Sequence, residues 1–142
     1  MMQIIINSLV ELDKFAANIA QKLEAGMVVC LRGDLGAGKT TLSRSLIRHI
    51  TKNHNLEITS PTFNLVHLYN APRFKIWHFD LYRLKTAEEV YELGIDDAFN
   101  ELAIIEWPEI IENILPSNKI DILIEIGENE NSRIITMNNY HD

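Results

Sequence analysis

The hydrophobic positions of this chain alternate between strand-like runs and helix-like spacing. Residues 3–7 form a β-rich run, and Ser8 with Glu11 three residues on then predicts a capping box that opens a helix. We expect this helix to end at Gly26, because glycine favours a helix C-terminus. Its apolar residues fall on one face, namely Leu9, Leu12, Phe15, Ala16, Ile19, Ala20 and Leu23.

The next apolar segment is unbroken. Residues 27–31 are typical of a strand buried on both faces of a parallel sheet. A glycine-rich turn follows, and a helix is then predicted over residues 39–51. Its apolar positions are Leu42, Leu46, Ile47 and Ile50.

A hairpin is predicted in the middle of the chain. Residues 52–57 are polar and predict a loop. Strand-like runs over residues 63–69 and 74–80 then flank four turn-forming residues, 70–73, which is a hairpin pattern.

The last third of the chain predicts further elements. A Thr86–Glu89 capping box opens a short helix that ends near Gly94. A buried strand over 102–107 follows and stops at Pro108. A short helix over 110–115 and a closing hairpin of 119–126 with 133–137 complete the chain.

The composition is that of one globular domain. The 142 residues are 46% hydrophobic and 23% charged, which is ordinary for a chain that buries its own core. No apolar run approaches the roughly 20 residues of a membrane span, and the N-terminal sequence lacks the features of a signal peptide. Cys30 is the only cysteine, which excludes an internal disulfide and a Cys-based zinc site. We expect a single cytoplasmic domain over residues 1–142, monomeric when isolated and without membrane contact.

The net charge of −7 is unevenly distributed. Residues 1–85 carry 11 Lys or Arg against 6 Asp or Glu, whereas residues 86–142 carry 2 against 14. A protein that binds nucleic acid alone usually shows a net basic face, so this balance argues against a DNA-binding protein. The acidic part has two interpretations, a solvated surface or a docking face for a basic partner.

A phosphate-binding loop is the most specific motif. The pattern G-x-x-x-x-G-K-[ST] lies between the predicted buried strand and the helix that follows it. Its glycines let backbone N–H groups point at phosphate oxygens, the helix N-terminus adds partial positive charge, the lysine reaches terminal phosphates, and the threonine hydroxyl can ligate Mg²⁺. The motif comprises Gly33, Asp34, Leu35, Gly36, Ala37, Gly38, Lys39 and Thr40.

The motif and the alternating elements together predict the fold class. We expect an α/β protein of the P-loop NTPase-like kind, with three α/β/α layers, a mainly parallel central sheet and additional antiparallel hairpin strands.

Such a loop also requires an acidic residue at the end of a neighbouring strand, to hold Mg²⁺ and orient the attacking water. Asp80 and Glu106 both close predicted strands. An acid after a buried apolar run is costly unless it is paired or metal-bound. The alternative for either is a salt-bridged strand terminus. We interpret both as functional because they accompany a phosphate-binding loop.

Other residues give weaker signals. Trp107 follows Glu106 and would lie near the phosphates, although a structural tryptophan is nearly as common. Ser60, Pro61 and Thr62 suit either a nucleotide-sensing loop or an ordinary turn. His78 lies in a predicted strand and is interpreted as a structural histidine.

One further motif points to guanine. Asn118 to Asp121 fit N-K-x-D, the guanine-reading signature of GTPases. In GTPases a buried strand precedes that motif, whereas here residues 115–117 precede it and the strand follows. The D-x-x-G loop is also missing after Asp80, so we favour ATP over GTP.

Five segments, in this order, resemble the TsaE (formerly YjeE) family, small bacterial P-loop proteins required for tRNA threonylcarbamoyladenosine synthesis. A phosphate-binding loop alone is shared by many families, whereas the ordered set is specific, and the resemblance spans about residues 8–126. The segments are GDLGAGKTTLSR at 33–44, SPTFNLVHLY at 60–69, HFDLYRL at 78–84, ELGIDD at 92–97 and IIEWPE at 104–109.

The resemblance implies a function. It implies a Mg²⁺-dependent ATPase that is weak alone and stimulated by two partners, the TsaB- and TsaD-type subunits. These add threonylcarbamoyl to adenosine-37 of tRNAs that read ANN codons. ATP binding and hydrolysis would regulate or reset the partners rather than perform the transfer, and tRNA would be contacted indirectly through the complex.

The resemblance also implies roles for single residues. Residues 34–41, including Thr41, would cradle the phosphates, with Lys39 on the terminal ones. Thr40 and Glu106 would ligate Mg²⁺, and Asp80 would support the metal and the attacking water. Ser60 and Thr62 would belong to a switch-like loop, Trp107 would lie beside the nucleotide, and Asn7 with Ser8 would approach the adenine.

Two other classes remain open. A small-molecule kinase usually carries a lid with several arginines, but the six arginines of this chain are not clustered in any segment. A nucleotide-dependent binding module without turnover needs the same loop and metal ligands, so the sequence does not separate it from an ATPase.

Overall fold

A seven-stranded sheet forms the centre of the computed structural model, which describes residues 1–140. The strands are β1 (Met2–Ile6), β2 (Val28–Arg32), β3 (Val66–Asn70), β4 (Lys75–Asp80), β5 (Leu102–Glu106), β6 (Lys119–Ile126) and β7 (Arg133–Tyr140). The helices are α1 (Leu9–Ala20), α2 (Lys39–Thr51), α3 (Glu89–Glu92), α4 (Ile95–Ala98) and a 3-10 helix (Pro108–Ile111).

Parallel pairing occupies the centre of the sheet, whose strand order is β1-β7-β6-β2-β5-β4-β3. Strand β2 lies between β5 and β6 and is parallel to both, and β4 is parallel to β5. Antiparallel strands complete both sides, β3 beside β4 and β7 with β1 beyond β6. The register pairs Asp80 with Glu106. The carboxyl ends of β2, β4 and β5 therefore meet at one edge, where ligands bind in open α/β sheets.

Helices cover both faces of the sheet. One core lies under α1 and α2 and includes Leu46 and Ile104, both fully buried. The other lies under α3, α4 and the 3-10 helix and includes Phe79 and Ile105. Strand β2 is buried on both faces, as its unbroken apolar run requires. The predicted fold class is confirmed.

Helix α1 is shorter than predicted. The Ser8 hydroxyl accepts a hydrogen bond from the Glu11 N–H at 3.2 Å, as the capping box requires. The helix ends at Ala20 rather than Gly26, because bonds of the i→i−3 type tighten the chain after it. Leu9 was predicted to face the core but is 74% exposed, because it lies in the first turn, beside an open cavity.

Strand β3 begins later than predicted. It starts at Val66, since residues 61–65 form a turn in which the Leu65 N–H donates to the Pro61 carbonyl at 2.6 Å. Leu65 has a positive φ of 68°. Phe63 is 81% exposed, so its apolar side chain does not belong to a strand.

The starts of two helices predicted within residues 86–142, the acidic part of the chain, were wrong. Helix α3 starts at Glu89 without a side-chain cap, because the Glu89 carboxylate accepts from the Lys85 N–H instead of taking part in a Thr86 capping box. A second short helix, α4, follows Gly94. The helix predicted over residues 110–115 is a 3-10 helix that begins at Pro108, since proline suits the first helical turn.

No helix in the described part of the chain is long and apolar enough to cross a membrane.

Candidate functional site

The loop between β2 and α2 curls because its glycines adopt conformations that other residues avoid. Gly36 and Gly38 have φ of 81° and 119°. Gly33 is constrained by packing as well, since a Cβ there would lie 2.4 Å from the Ile124 carbonyl oxygen of β6. Helix α2 begins immediately after Gly38. The loop backbone is therefore wrapped around the N-terminus of α2, the geometry that binds phosphate in other proteins.

Lys39 is held by the same loop. Its Nζ donates to the carbonyl oxygens of Gly33 and Asp34, the latter at 3.0 Å. The ammonium also lies 3.9 Å from the centre of the Trp107 ring, a cation–π contact. Burial lowers the pKa of Lys39, although nearby carboxylates oppose that shift. The amine is thus held at the loop by carbonyl oxygens and an aromatic ring, which anionic oxygens could replace.

Glu106 is the most heavily hydrogen-bonded carboxylate of the site. Its side chain is 2% exposed. Oε1 accepts from the Thr40 hydroxyl at 2.8 Å. Oε2 lies 3.1 Å from the Ser43 hydroxyl and 2.6 Å from Nε2 of His78. Burial alone would raise the pKa of Glu106, but the contacts from His78, Thr40 and Ser43 outweigh it, and the pKa lies below its ordinary value. The carboxylate is therefore kept ionised.

Asp80 has the opposite electrostatic setting. Burial, and secondarily the charge of Glu106, raise its pKa above the ordinary value, although the Tyr82 N–H donates to it at 3.1 Å. The Thr62 hydroxyl lies 3.4 Å from Oδ2 and also 2.7 Å from the Ser60 hydroxyl. The loop before β3 is thereby tied to the end of β4. Adjacent carboxylates with opposite pKa shifts are common in catalytic sites.

Trp107 lies over the site in a strained conformation. Its φ is 60°, in the left-handed region. The ring contacts Lys39, and its centre lies 4.8 Å from that of Tyr82. Residues in this region persist where the surroundings enforce them, often at functional sites.

These side chains enclose one cleft of about 320 Å³, here called the P-loop cleft. Side chains from the loop, α2, the segment before β3, and the ends of β4 and β5 converge on it. It is lined by Leu35, Gly36, Gly38, Lys39, Thr40, Thr41, Ser60, Thr62, Asp80, Tyr82, Glu106 and Trp107.

A second cavity of about 510 Å³ adjoins the cleft, since Gly38 and Thr41 line both. Ser8 and the first turn of α1 line it on one side, and the turn between β6 and β7 lines it on the other. The Arg133 guanidinium joins this turn to the loop, donating to the Ala37 carbonyl at 2.7 Å and the Glu130 carbonyl at 2.6 Å.

The predicted site residues fall into three places. Most line the P-loop cleft, and Ser8 lies in the adjoining cavity. Three loop residues, Gly33, Asp34 and Ala37, line a small cavity against β6, and Ala37 also lines the adjoining cavity. The roles assigned to all of them remain predictions.

Four residues near the site were missed or read differently. His78 lies two residues before Asp80 on the same strand face, and this alternation was the available signal. Ser43 follows Thr40 by three residues on one helix face. Tyr82 and Arg133 carried no sequence signal, because loop packing brings them in.

The oxygen-rich donor set fits Mg²⁺. Among the described residues, no group of three or more His, Cys, Asp or Glu side chains could hold a metal alone. Mg²⁺ does not require one, because it usually binds through one or two carboxylates, waters and substrate phosphates. Thr40, Glu106 and Asp80 supply oxygens beside the loop.

This fold and site define the class of α/β proteins with a P-loop at the carboxyl edge of a mainly parallel sheet. The family model described as "Threonylcarbamoyl adenosine biosynthesis protein TsaE" matches residues 6–135. The chain therefore belongs to the TsaE family.

Individual relatives agree. The chain is 44% identical over 133 residues to the tRNA threonylcarbamoyladenosine biosynthesis protein TsaE of Rickettsia prowazekii, covering 93% of this chain and 91% of that protein. It is 42% identical over 134 residues to the Haemophilus influenzae protein of the same name, covering 92% and 82%. The crystal structure of Bacillus subtilis YdiB superposes with a TM-score of 0.78 at 27% identity, covering 99% of this chain and 86% of that one.

Proposed function

We propose that the protein binds ATP with Mg²⁺ in the P-loop cleft and hydrolyses it, as a subunit of the machinery that makes threonylcarbamoyladenosine in tRNA. The observation that carries this proposal is the contact of 2.8 Å between the Thr40 hydroxyl and Glu106 Oε1. It joins the end of the phosphate-binding loop to the end of β5, with Asp80 on the adjacent strand. This is the arrangement of loop hydroxyl and strand-end acids that nucleoside triphosphate hydrolysis uses.

The loop residues would bind the phosphates. Backbone N–H groups of residues 34–41 would donate to phosphate oxygens, and Lys39 would exchange its carbonyl partners for the terminal phosphates. Thr40 and Glu106 would hold Mg²⁺, which neutralises charge on the phosphate oxygens. Trp107 would cover the bound phosphates.

Asp80 would orient the attacking water. Its carboxylate lies at the end of β4, and its raised pKa makes it a better proton acceptor than an ordinary aspartate. The Thr62 and Ser60 hydroxyls would couple its position to the loop before β3.

The base would occupy the adjoining cavity. This cavity continues from Gly38 and Thr41 toward Ser8 and the first turn of α1, and its mainly apolar walls suit an adenine ring.

The cleft supports weak turnover by the isolated protein. Lys39 is the one basic side chain among the described residues that line it. Efficient phosphoryl transfer usually uses an additional arginine, which a partner can supply. We therefore propose that the TsaB- and TsaD-type subunits raise hydrolysis, and that ATP binding and hydrolysis reset these partners in the cytoplasm while they hold the tRNA.

The test is hydrolysis of ATP and of GTP by the purified protein with Mg²⁺, alone and then with both partner subunits and tRNA. A Lys39→Met variant measured in parallel controls for contaminating ATPases. We expect slow ATP turnover that rises only with the partners and is absent from the variant.

Two outcomes would contradict the proposal. Fast turnover by the protein alone, or preference for GTP, would point to a free-standing enzyme or to a GTPase. ATP binding without turnover under any of these conditions would point to a binding module.

A further inference from the structure

His78 is a fully buried histidine whose side chain has one polar contact within residues 1–140, to Glu106. The side chain is 0% exposed, and Nε2 lies 2.6 Å from Glu106 Oε2. Among the described residues, its Nδ1 has no hydrogen-bond partner. Burying a polar ring is unfavourable unless its hydrogen bonds compensate. Within the described part of the chain, Nε2 is therefore the one ring nitrogen of His78 that has a polar partner, and that partner is a carboxylate oxygen of Glu106.

The two oxygens of Glu106 have different surroundings. Oε1 contacts the Thr40 hydroxyl, which lines the P-loop cleft. Oε2 contacts His78 on β4 and Ser43 on α2, both of which are buried. A carboxylate oxygen only accepts hydrogen bonds, so the proton in the contact with His78 lies on Nε2. One oxygen is anchored in the core, and the other faces the cleft.

His78 is the dedicated anchor, whereas Ser43 is a shared one. The Ser43 hydroxyl lies 2.9 Å from the Lys39 carbonyl and 3.1 Å from Glu106 Oε2. Because a hydroxyl has one proton, these two acceptors compete for it. The contact with His78 has no such competitor and is also shorter.

The contact is not needed to join the strands. Strands β4 and β5 pair through a regular parallel ladder from Ile76 opposite Leu102 to Asp80 opposite Glu106. A purely structural histidine would thus add little there, whereas an unanchored Glu106 could rotate away from Thr40.

We propose that His78 is a positioning residue that anchors Glu106 Oε2, so that Oε1 is presented beside Thr40 to the divalent cation of the bound nucleotide. The inference rests on the proposed function, because it concerns the same cleft. Partners that orient a metal-binding carboxylate affect metal affinity without touching the metal.

The test compares His78→Gln with His78→Asn. Both are uncharged amides, but a glutamine amide nitrogen reaches about as far as Nε2, whereas the asparagine amide reaches only about as far as Nδ1. Mn²⁺ affinity of the ADP complex is measured by electron paramagnetic resonance, and binding of a fluorescent ADP analogue is measured in EDTA. Ile76→Val, on the same strand face but without a polar contact, controls for core packing.

We expect H78N to weaken Mn²⁺ binding roughly 10- to 100-fold, with metal-free nucleotide binding nearly unchanged. H78Q should bind Mn²⁺ much as the unmodified protein does. Equal Mn²⁺ affinity in H78N and H78Q would overturn the inference.

A second variant covers a failure of H78N to fold. His78→Leu removes both ring nitrogens from the buried position, and a loss of Mn²⁺ affinity with metal-free nucleotide binding retained would support anchoring. Unchanged Mn²⁺ affinity in H78L would overturn it. Absence of Mn²⁺–ADP binding by the unmodified protein would contradict the proposed function as well, which distinguishes the two failures.

Discussion

Two concave regions of the molecule differ more in chemistry than in size. The groove at the C-terminal ends of α1 and α2 encloses about 470 Å³, more than the roughly 320 Å³ of the P-loop cleft. We call it the distal groove. It is lined by Ala17, Ala20, Gln21, Leu23, His49, Ile50, Lys52, Ala71, Pro72, Arg73 and Phe74.

The contrast lies in what converges on each region. The P-loop cleft brings together a buried lysine and two carboxylates whose pKa values shift in opposite directions. The distal groove has no carboxylate among its lining residues, which include Lys52 and Arg73. Volume alone therefore does not indicate the site, whereas converging polar groups with perturbed pKa values do.

Each region also contains one non-glycine residue with left-handed backbone. Lys52 ends α2 with φ of 59°, and Trp107 follows β5 with φ of 60°. Lys52 occupies a helix C-terminus that glycine would suit better. Trp107 instead contacts Lys39 and Tyr82. The same backbone strain is thus incidental at one position and tied to the site at the other.

The largest effect should come from Lys39→Met. This change removes the single basic side chain that lines the cleft in the described part of the chain. Loss of a buried charge partner costs about 2–5 kcal/mol, so we expect ATP affinity to fall roughly 30- to 5,000-fold. Isothermal titration calorimetry measures this directly. Arg73→Ala in the distal groove should leave the affinity unchanged; a comparable loss in both variants would show that the two regions do not differ as argued.

Glu106→Gln should lower hydrolysis more than binding. The amide keeps an acceptor for Thr40 or His78 but loses the charge that would hold Mg²⁺. We expect kcat to fall roughly 100-fold or more, with a much smaller change in ATP affinity. Single-turnover hydrolysis and equilibrium binding separate the two quantities, and parallel losses would contradict the role of Glu106.

Asp80→Asn should also lower hydrolysis, by roughly 100-fold, because the amide is a poor proton acceptor. At the same time we expect the variant to unfold at higher denaturant concentration than the unmodified protein. Burial raises the pKa of Asp80, so the ionised carboxylate is less favourable in the folded than in the unfolded chain. Urea unfolding without nucleotide measures this gain.

The sign of the pH dependence follows from that shift. A carboxyl whose folded-state pKa is raised binds its proton more tightly when folded, so its contribution lowers stability as pH rises through that pKa. The stability difference between Asp80→Asn and the unmodified protein should therefore grow from acidic to neutral pH. A difference that shrinks over this range would contradict the assignment.

The smallest effect is expected in the distal groove. Lys52→Gly relieves a left-handed conformation that costs an ordinary residue about 1–2 kcal/mol, partly offset by the greater freedom of glycine when unfolded. We expect a gain of up to about 1 kcal/mol in the free energy of unfolding, with hydrolysis unchanged. Trp107→Gly is the matched change in the cleft and should weaken nucleotide binding through lost ring contacts. If both variants gained stability and kept their nucleotide affinity, the Trp107 ring would not contribute to nucleotide binding.

Local sequence patterns predicted much of the fold. The unbroken run that became β2 and the capping of α1 by Ser8 were recognisable because their determinants are neighbours in the chain. The strand predicted from Phe63 failed because the turn at Leu65 depends on a contact with Pro61 and on the docking of the following hairpin. The capping box expected at Thr86 failed because Glu89 bonds to Lys85 instead.

The candidate site was predictable in its motif residues but not in its supporting contacts. Lys39 and Thr40 belong to a contiguous motif, and Asp80 and Glu106 could be placed because parallel strands end at one edge. The contacts of His78 and Ser43 with Glu106 were not predicted, since they join residues 28 and 63 positions apart in the sequence. Arg133 reaches Ala37 across 96 residues.

The sequence by itself determined the class of elements, the phosphate-binding loop and the family resemblance, because these depend on periodicity and on residues adjacent in the chain. Only the tertiary structure decided which oxygen of Glu106 faces the cleft, which carboxylate has the raised pKa, and which concave region collects the polar groups. Burial and hydrogen bonding are set by residues distant in sequence, and these interactions exist only once the strands and helices have packed.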